Sequence, residues 1–98
     1  MKIIKLMADY YCFPLWNDSP GEVGNIDPES LPLSTELKAR LNDWSEKYDL
    51  ILNDDDPASS GFETKEDEQN FIREGGELAK YLQIELGDSY KITYYSDY

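Results

Sequence analysis

An α+β fold, a small antiparallel sheet of N- and C-terminal strands packed on an antiparallel two-helix hairpin, is predicted for this 98-residue chain by three observations. Residues at both ends alternate like strands, two central stretches carry apolar stripes at helical spacing, and a Pro/Gly-rich segment separates the first strand from the first helix. The order is β-loop-α-α-β. Forty per cent apolar residues, with eight Tyr, three Phe and two Trp, are enough for one modest core. Residues 1–98 are therefore expected to form a single domain.

In residues 2–11, Ile4, Leu6, Ala8 and Tyr10 share one face while Ile3, Lys5 and Met7 share the other, the period of a strand. Lys5 and Asp9 interrupt the apolar run, so it is neither a secretory signal nor a membrane span. Residues 12–33 hold four of the five prolines and two of the six glycines, which predicts an ordered loop. Phe13, Leu15, Trp16, Val23, Ile26, Leu31 and Leu33 are too many apolar side chains for a free linker. They predict a loop wrapped over the core with Trp16 as anchor and an irregular strand near residues 13–16.

Ser34 is suited to cap a helix in which Leu37, Leu41, Trp44 and Tyr48 form one buried stripe opposite Asp43, Glu46 and Lys47. That helix should end near Leu52, before the turn signals of LNDDDPASSGF. Thr64 followed by Asp67 resembles a capping box, and Phe71, Gly75, Leu78 and Leu82, widened by Ile72, Ala79 and Leu86, predict a second helix. Gly87 is placed to stop it. The interior pair Gly75-Gly76 predicts close approach of another backbone, or a bend. Tyr90, Ile92 and Tyr94 then alternate with Lys91, Thr93 and Tyr95 in a closing strand beside the first. An exposed terminal strand could pair with itself or with a partner by strand addition.

Charge is the strongest functional signal. Twenty-one acidic residues face nine basic ones, a net charge of -12. Half of that excess lies in residues 54–68, where Asp54, Asp55, Asp56, Glu63, Glu66, Asp67 and Glu68 are opposed by Lys65 alone. Such a surface speeds encounter with a cationic partner and repels nucleic acid and anionic lipid. Catalytic resources are sparse. There is no His, and the one Cys, Cys12, has no base to form a thiolate pair and no partner for an internal disulfide. A reducing, cytoplasmic setting fits that usage. No phosphate loop, nucleophile elbow or metal-ligand spacing is present, and Pro57 after the Asp54–Asp56 triplet departs from a calcium-loop pattern. Neither catalytic nor metal residues nor a cofactor are expected. Tyr10, Tyr11, Tyr90, Tyr94, Tyr95 and Tyr98 lie in or beside the terminal strands; half should be core and the others could form an exposed anchor patch.

The segments NIDP (25–28), LPLS (31–34), WSEKYD (44–49), LNDDDPASSGF (52–62), FIREGGELA (71–79) and ELGDSY (85–90), with MADYYCFPLW (7–16), resemble small acidic bacterial immunity proteins found beside polymorphic toxins. The resemblance covers nearly the whole chain and implies a cytoplasmic protein of a contact-dependent inhibition or related system that binds one cognate toxin domain. It implies a role and no particular site. A basic nuclease is the toxin that an acidic inhibitor would complement, in a one-to-one complex through the seven carboxylates of residues 54–68. The rival is a nucleic-acid mimic that blocks a DNA-binding protein, of antirestriction type. Against it, the carboxylates bunch around one turn instead of tracking a phosphate backbone, and Lys38, Arg40, Lys47, Arg73 and Lys80 interrupt the helices.

Overall fold

The computed structural model describes residues 1–51 and 61–96. Its elements are β1 (Lys2–Leu6), β2 (Leu15–Asn17), β3 (Asn25–Ile26), a 3-10 turn (Pro28–Ser30), α1 (Thr35–Leu50), α2 (Lys65–Leu86), a second 3-10 turn (Gly87–Ser89) and β4 (Tyr90–Tyr94). The four strands form one mixed sheet in the order β3-β2-β1-β4. Ile4, Leu6 and Ala8 are buried, as their alternation predicts, and so are Leu37, Leu41 and Trp44 of α1 and Phe71, Leu78, Leu82 and Leu86 of α2. These side chains, with Leu15, Ile26 and Leu33, make one core between the sheet and the helices.

The class is α+β as predicted, but the terminal strands are parallel, not antiparallel. Lys2 pairs with Tyr90 and Leu6 with Tyr94. The reason lies in the Pro/Gly-rich segment. It contains β2, antiparallel to β1, and β3, antiparallel to β2, which leaves Ile26 level with Leu15 and Leu6 at the end of the sheet where β1 finishes, and residues 27–33 then carry the chain back towards the end where β1 begins. α1 therefore runs in the direction of β1, which its contacts confirm: Ser45 Oγ donates to the Cys12 carbonyl at 3.0 Å and Tyr48 stacks on Tyr10 at 4.6 Å, both beyond the far end of β1. α2 runs back, antiparallel to α1, with Ser34 meeting Glu85 at one end of the pair and Lys47 meeting Glu74 towards the other. A descending α2 leaves β4 only the ascending direction.

Local chemistry sets the boundaries. β1 stops at Leu6, short of Tyr11, because residues 9–12 form a turn in which the Cys12 N–H reaches the Asp9 carbonyl at 3.4 Å. Ser34 caps α1, its Oγ accepting from the Leu37 N–H at 3.2 Å, while the Ser34 N–H and Oγ–H both donate to the Glu85 carboxylate, at 2.6 and 2.8 Å. Glu85 thus brings negative charge to the positive end of α1. Gly87, at φ 72°, ends α2 in a conformation that suits glycine. Within 12–33 the expected pinning is partial. Leu15, Ile26 and Leu33 are buried and Trp16 is half-buried with its indole N–H on the Met7 carbonyl at 3.0 Å, but Val23 is 92% exposed and Phe13 is also exposed.

One edge of the sheet is partly capped by a side chain. The Gln83 amide, on α2, accepts the Ile92 N–H at 3.0 Å and donates to the Tyr90 and Gly87 carbonyls at 2.8 and 3.1 Å. The Ile92 N–H and the Tyr90 carbonyl, which β4 would offer to another strand, are thereby occupied.

Candidate functional site

The acidic end of the molecule rests on an aromatic ladder. Trp44 and Phe71 stack nearly parallel, 4.5 Å between centroids and 6° apart. Tyr48 stacks on Phe71 at 5.8 Å, Phe62 tilts against it at 5.1 Å, and Tyr94 tilts against Trp44 at 6.3 Å. Each such ring pair contributes on the order of 1 kcal/mol beyond burial. The polar ends of the rings are satisfied by α2 itself. Trp44 Nε1 donates to the Phe71 carbonyl at 2.9 Å and the Tyr94 hydroxyl to the Ile72 carbonyl at 2.8 Å. Rings from β4 and both helices are in this way locked to a single turn of α2.

Gly75 lies opposite those rings. A methyl group there would collide with the Tyr94 phenol and stand 2.7 Å from Cζ2 of the fully buried Trp44. Contrary to the expectation from sequence, the glycine pair does not admit another backbone; the close approach is made by side chains, and at Gly75 alone.

Above the ladder the α2 N-terminus begins at Thr64, whose Oγ1 accepts from the Asp67 N–H at 3.0 Å. Glu66, Asp67 and Glu68 occupy the first turn, where the helix dipole favours them, and Glu63 precedes the cap. Glu63, Glu66 and Asp67 are exposed and Glu68 is half-buried. Asp54, Asp55 and Asp56 lie outside the described residues. The Gly61 N–H bonds to the Ile51 carbonyl at 3.2 Å, which draws the start of α2 to the end of α1. The four described carboxylates therefore share one end of the fold with the turn after β1.

Three of the six basic residues on the helices are engaged with other acids. Lys47 meets Glu74 at 2.9 Å, Arg40 meets Glu77 at 3.8 Å and Lys38 meets Glu29 at 3.4 Å. Arg40 also lies over the Tyr81 ring, 5.2 Å from its centroid. Between the helices runs a shallow groove of about 310 Å³ lined by Arg40, Asp43, Glu46, Lys47, Leu50 and Glu74. Among the described residues no group of three or more Cys, Asp or Glu side chains is placed to hold a metal ion. No helix among them is long and apolar enough to cross a membrane.

Three polar residues escaped sequence reasoning. Asp49, Ser45 and Asn25 hold the backbone of residues 11–15. No local motif announces this, because the partners are brought together only by the return of the chain through β2 and β3.

These features define a class, a small acidic α+β domain with a helical hairpin packed on its sheet. The family is more specific. The model of the Serratia CdiI immunity protein-like family matches residues 2–97, and the chain belongs to that family. No curated protein matches it.

Proposed function

We propose that this protein is the immunity partner of a contact-dependent inhibition toxin, and that in the cytoplasm of its producer it neutralises one cognate toxin domain by forming a one-to-one complex. The observation that carries this reading is the family match, which spans nearly every residue of the chain. It acts by binding and not by catalysis. In support, the chain has no His and a single Cys.

The toxin domain in this reading is a basic nuclease. A surface built to hold phosphates is cationic, and a chain of charge -12 complements it. Asp54, Asp55, Asp56, Glu63, Glu66, Asp67 and Glu68 steer the encounter, which can reach on the order of 10⁸ M⁻¹s⁻¹ for oppositely charged partners. Exposure of Glu63, Glu66 and Asp67 at one end of the molecule supports that assignment.

The test is growth rescue by co-expression with the adjacent toxin domain, followed by co-purification. Rescue together with a one-to-one complex is expected. Changing Glu63, Glu66 and Asp67 to Lys should slow association by about tenfold at low salt and flatten its salt dependence. Unaltered association kinetics at low salt would remove this face from the interface. Failure to rescue, together with inhibition of several unrelated DNA-binding proteins that DNA relieves, would point to the nucleic-acid mimic.

A further inference from the structure

The turn between β1 and β2 holds a backbone conformation that its residue does not favour. Tyr11 lies at φ 58°, the one non-glycine residue with positive φ among those described. A bulky side chain in the left-handed region is strained, and glycine or asparagine would serve a simple turn better. The strain is held from several sides. Asp49 Oδ1 accepts the Tyr11 N–H at 2.8 Å, Ser45 Oγ donates to the Cys12 carbonyl at 3.0 Å, and Asp9 Oδ1 accepts the Tyr10 N–H at 2.8 Å. The Asn25 amide clamps Phe13 through both its N–H and its carbonyl, at 2.9 and 2.6 Å, and takes the Leu15 carbonyl at 2.9 Å. Tyr10 is fixed by stacking on Tyr48.

All this ordering presents rings to solvent. Tyr11 is 73% exposed, Phe13 is 43% exposed, and Leu50, next to Asp49 on α1, is 78% exposed. Among the described residues the Tyr11 side chain has no hydrogen-bond, ring or ion partner. Core packing therefore does not explain a tyrosine here. An aromatic side chain on an immobilised backbone loses little entropy when it enters a pocket, which is why such residues dominate binding hot spots.

We infer that Tyr11, with Phe13 beside it, is the apolar anchor of the toxin complex and enters a pocket on the toxin domain rimmed by Lys or Arg side chains. This rests on the immunity reading of the previous subsection. The cationic rim follows from the surroundings: Asp9 in the turn and Glu46 on the adjoining stretch of α1 are exposed acids. A second copy of this chain is a poor occupant, because each carries a charge of -12. Carboxylates at this end then govern how quickly the partners meet, and the rings govern how long they stay.

Tyr11→Gly separates binding from folding, since glycine accepts φ 58° without strain. Without toxin, its urea midpoint should equal or exceed that of the unmutated protein. With toxin, dissociation should be at least about tenfold faster and association unchanged within about twofold. Tyr11→Phe should retain slow dissociation. Tyr11→Gly that unfolds at lower urea would assign the ring to the fold and overturn the inference, as would unchanged toxin dissociation. A dimer of the unmutated protein that Tyr11→Gly dissolves, with toxin dissociation unchanged, would assign the loop to self-association and overturn it too. If the unmutated protein itself neither binds nor rescues, the immunity reading fails and takes the anchor with it. Slow dissociation kept by Tyr11→Gly removes the anchor alone.

Discussion

A methyl group at position 75 would strike the Tyr94 phenol and crowd Cζ2 of Trp44, whereas at position 76 the nearest side-chain atom, Cε2 of Tyr94, stands at an ordinary 3.9 Å. The two glycines should therefore respond in opposite directions. Gly76→Ala should raise stability by up to about 1 kcal/mol, the helix preference for alanine over glycine. Gly75→Ala has the same preference set against overpacking of about 1–3 kcal/mol around a buried tryptophan, and should lower stability by up to about 2 kcal/mol. Urea unfolding of the two variants checks both signs. The sequence shows the pair as an anomaly, but cannot say which member is required, because the rings that decide come from residue 44 and residue 94. Tyr11 is a similar case. Its left-handed backbone costs about 1–3 kcal/mol and depends on Asp49, 38 residues away in the chain.

Both helices were legible element by element because what defines them is local. Leu37, Leu41 and Trp44 recur at helical spacing, Ser34 and Thr64 cap, and Gly87 stops, all within a few residues of one another. Strand direction was not legible. It depends on where residues 12–33 deliver the chain, and β3, only two residues long, is too short to show any period. Gln83 is also an element-scale feature, since one side chain of α2 caps the first half of the free edge of β4. Gln83→Leu removes its three hydrogen bonds and should cost about 1–3 kcal/mol. It should also expose a pairing edge, so that light scattering reports concentration-dependent association absent in the unmutated protein. Monodisperse Gln83→Leu at all concentrations would show that the edge is protected by other means.

Across the whole molecule, a net charge of -12 on a domain with a Cα radius of gyration of 13.7 Å opposes compaction. Raising NaCl from about 10 to about 150 mM shortens the screening length from about 30 to about 8 Å and should raise the melting temperature of the free protein. A melting temperature that falls or stays level would mean that the interhelical ion pairs outweigh the repulsion. At this scale the acidic half of the proposed interface was legible as a count, because carboxylates stay at the surface whatever the fold. The exposed aromatic half was not, since alternation along residues 2–11 does not foresee a turn beginning at Asp9. The parallel match of residue 2 with residue 90 has a consequence in time. On the ribosome β1 emerges first and must wait, one side unpaired, until β4 has cleared the exit tunnel. Contacts so distant along the chain form late and slowly. A newly made copy therefore becomes a finished domain only after residues 90–94 have emerged, and in the proposed immunity role protection trails translation by that interval. In that role, a producer under attack is guarded by the folded copies it already holds.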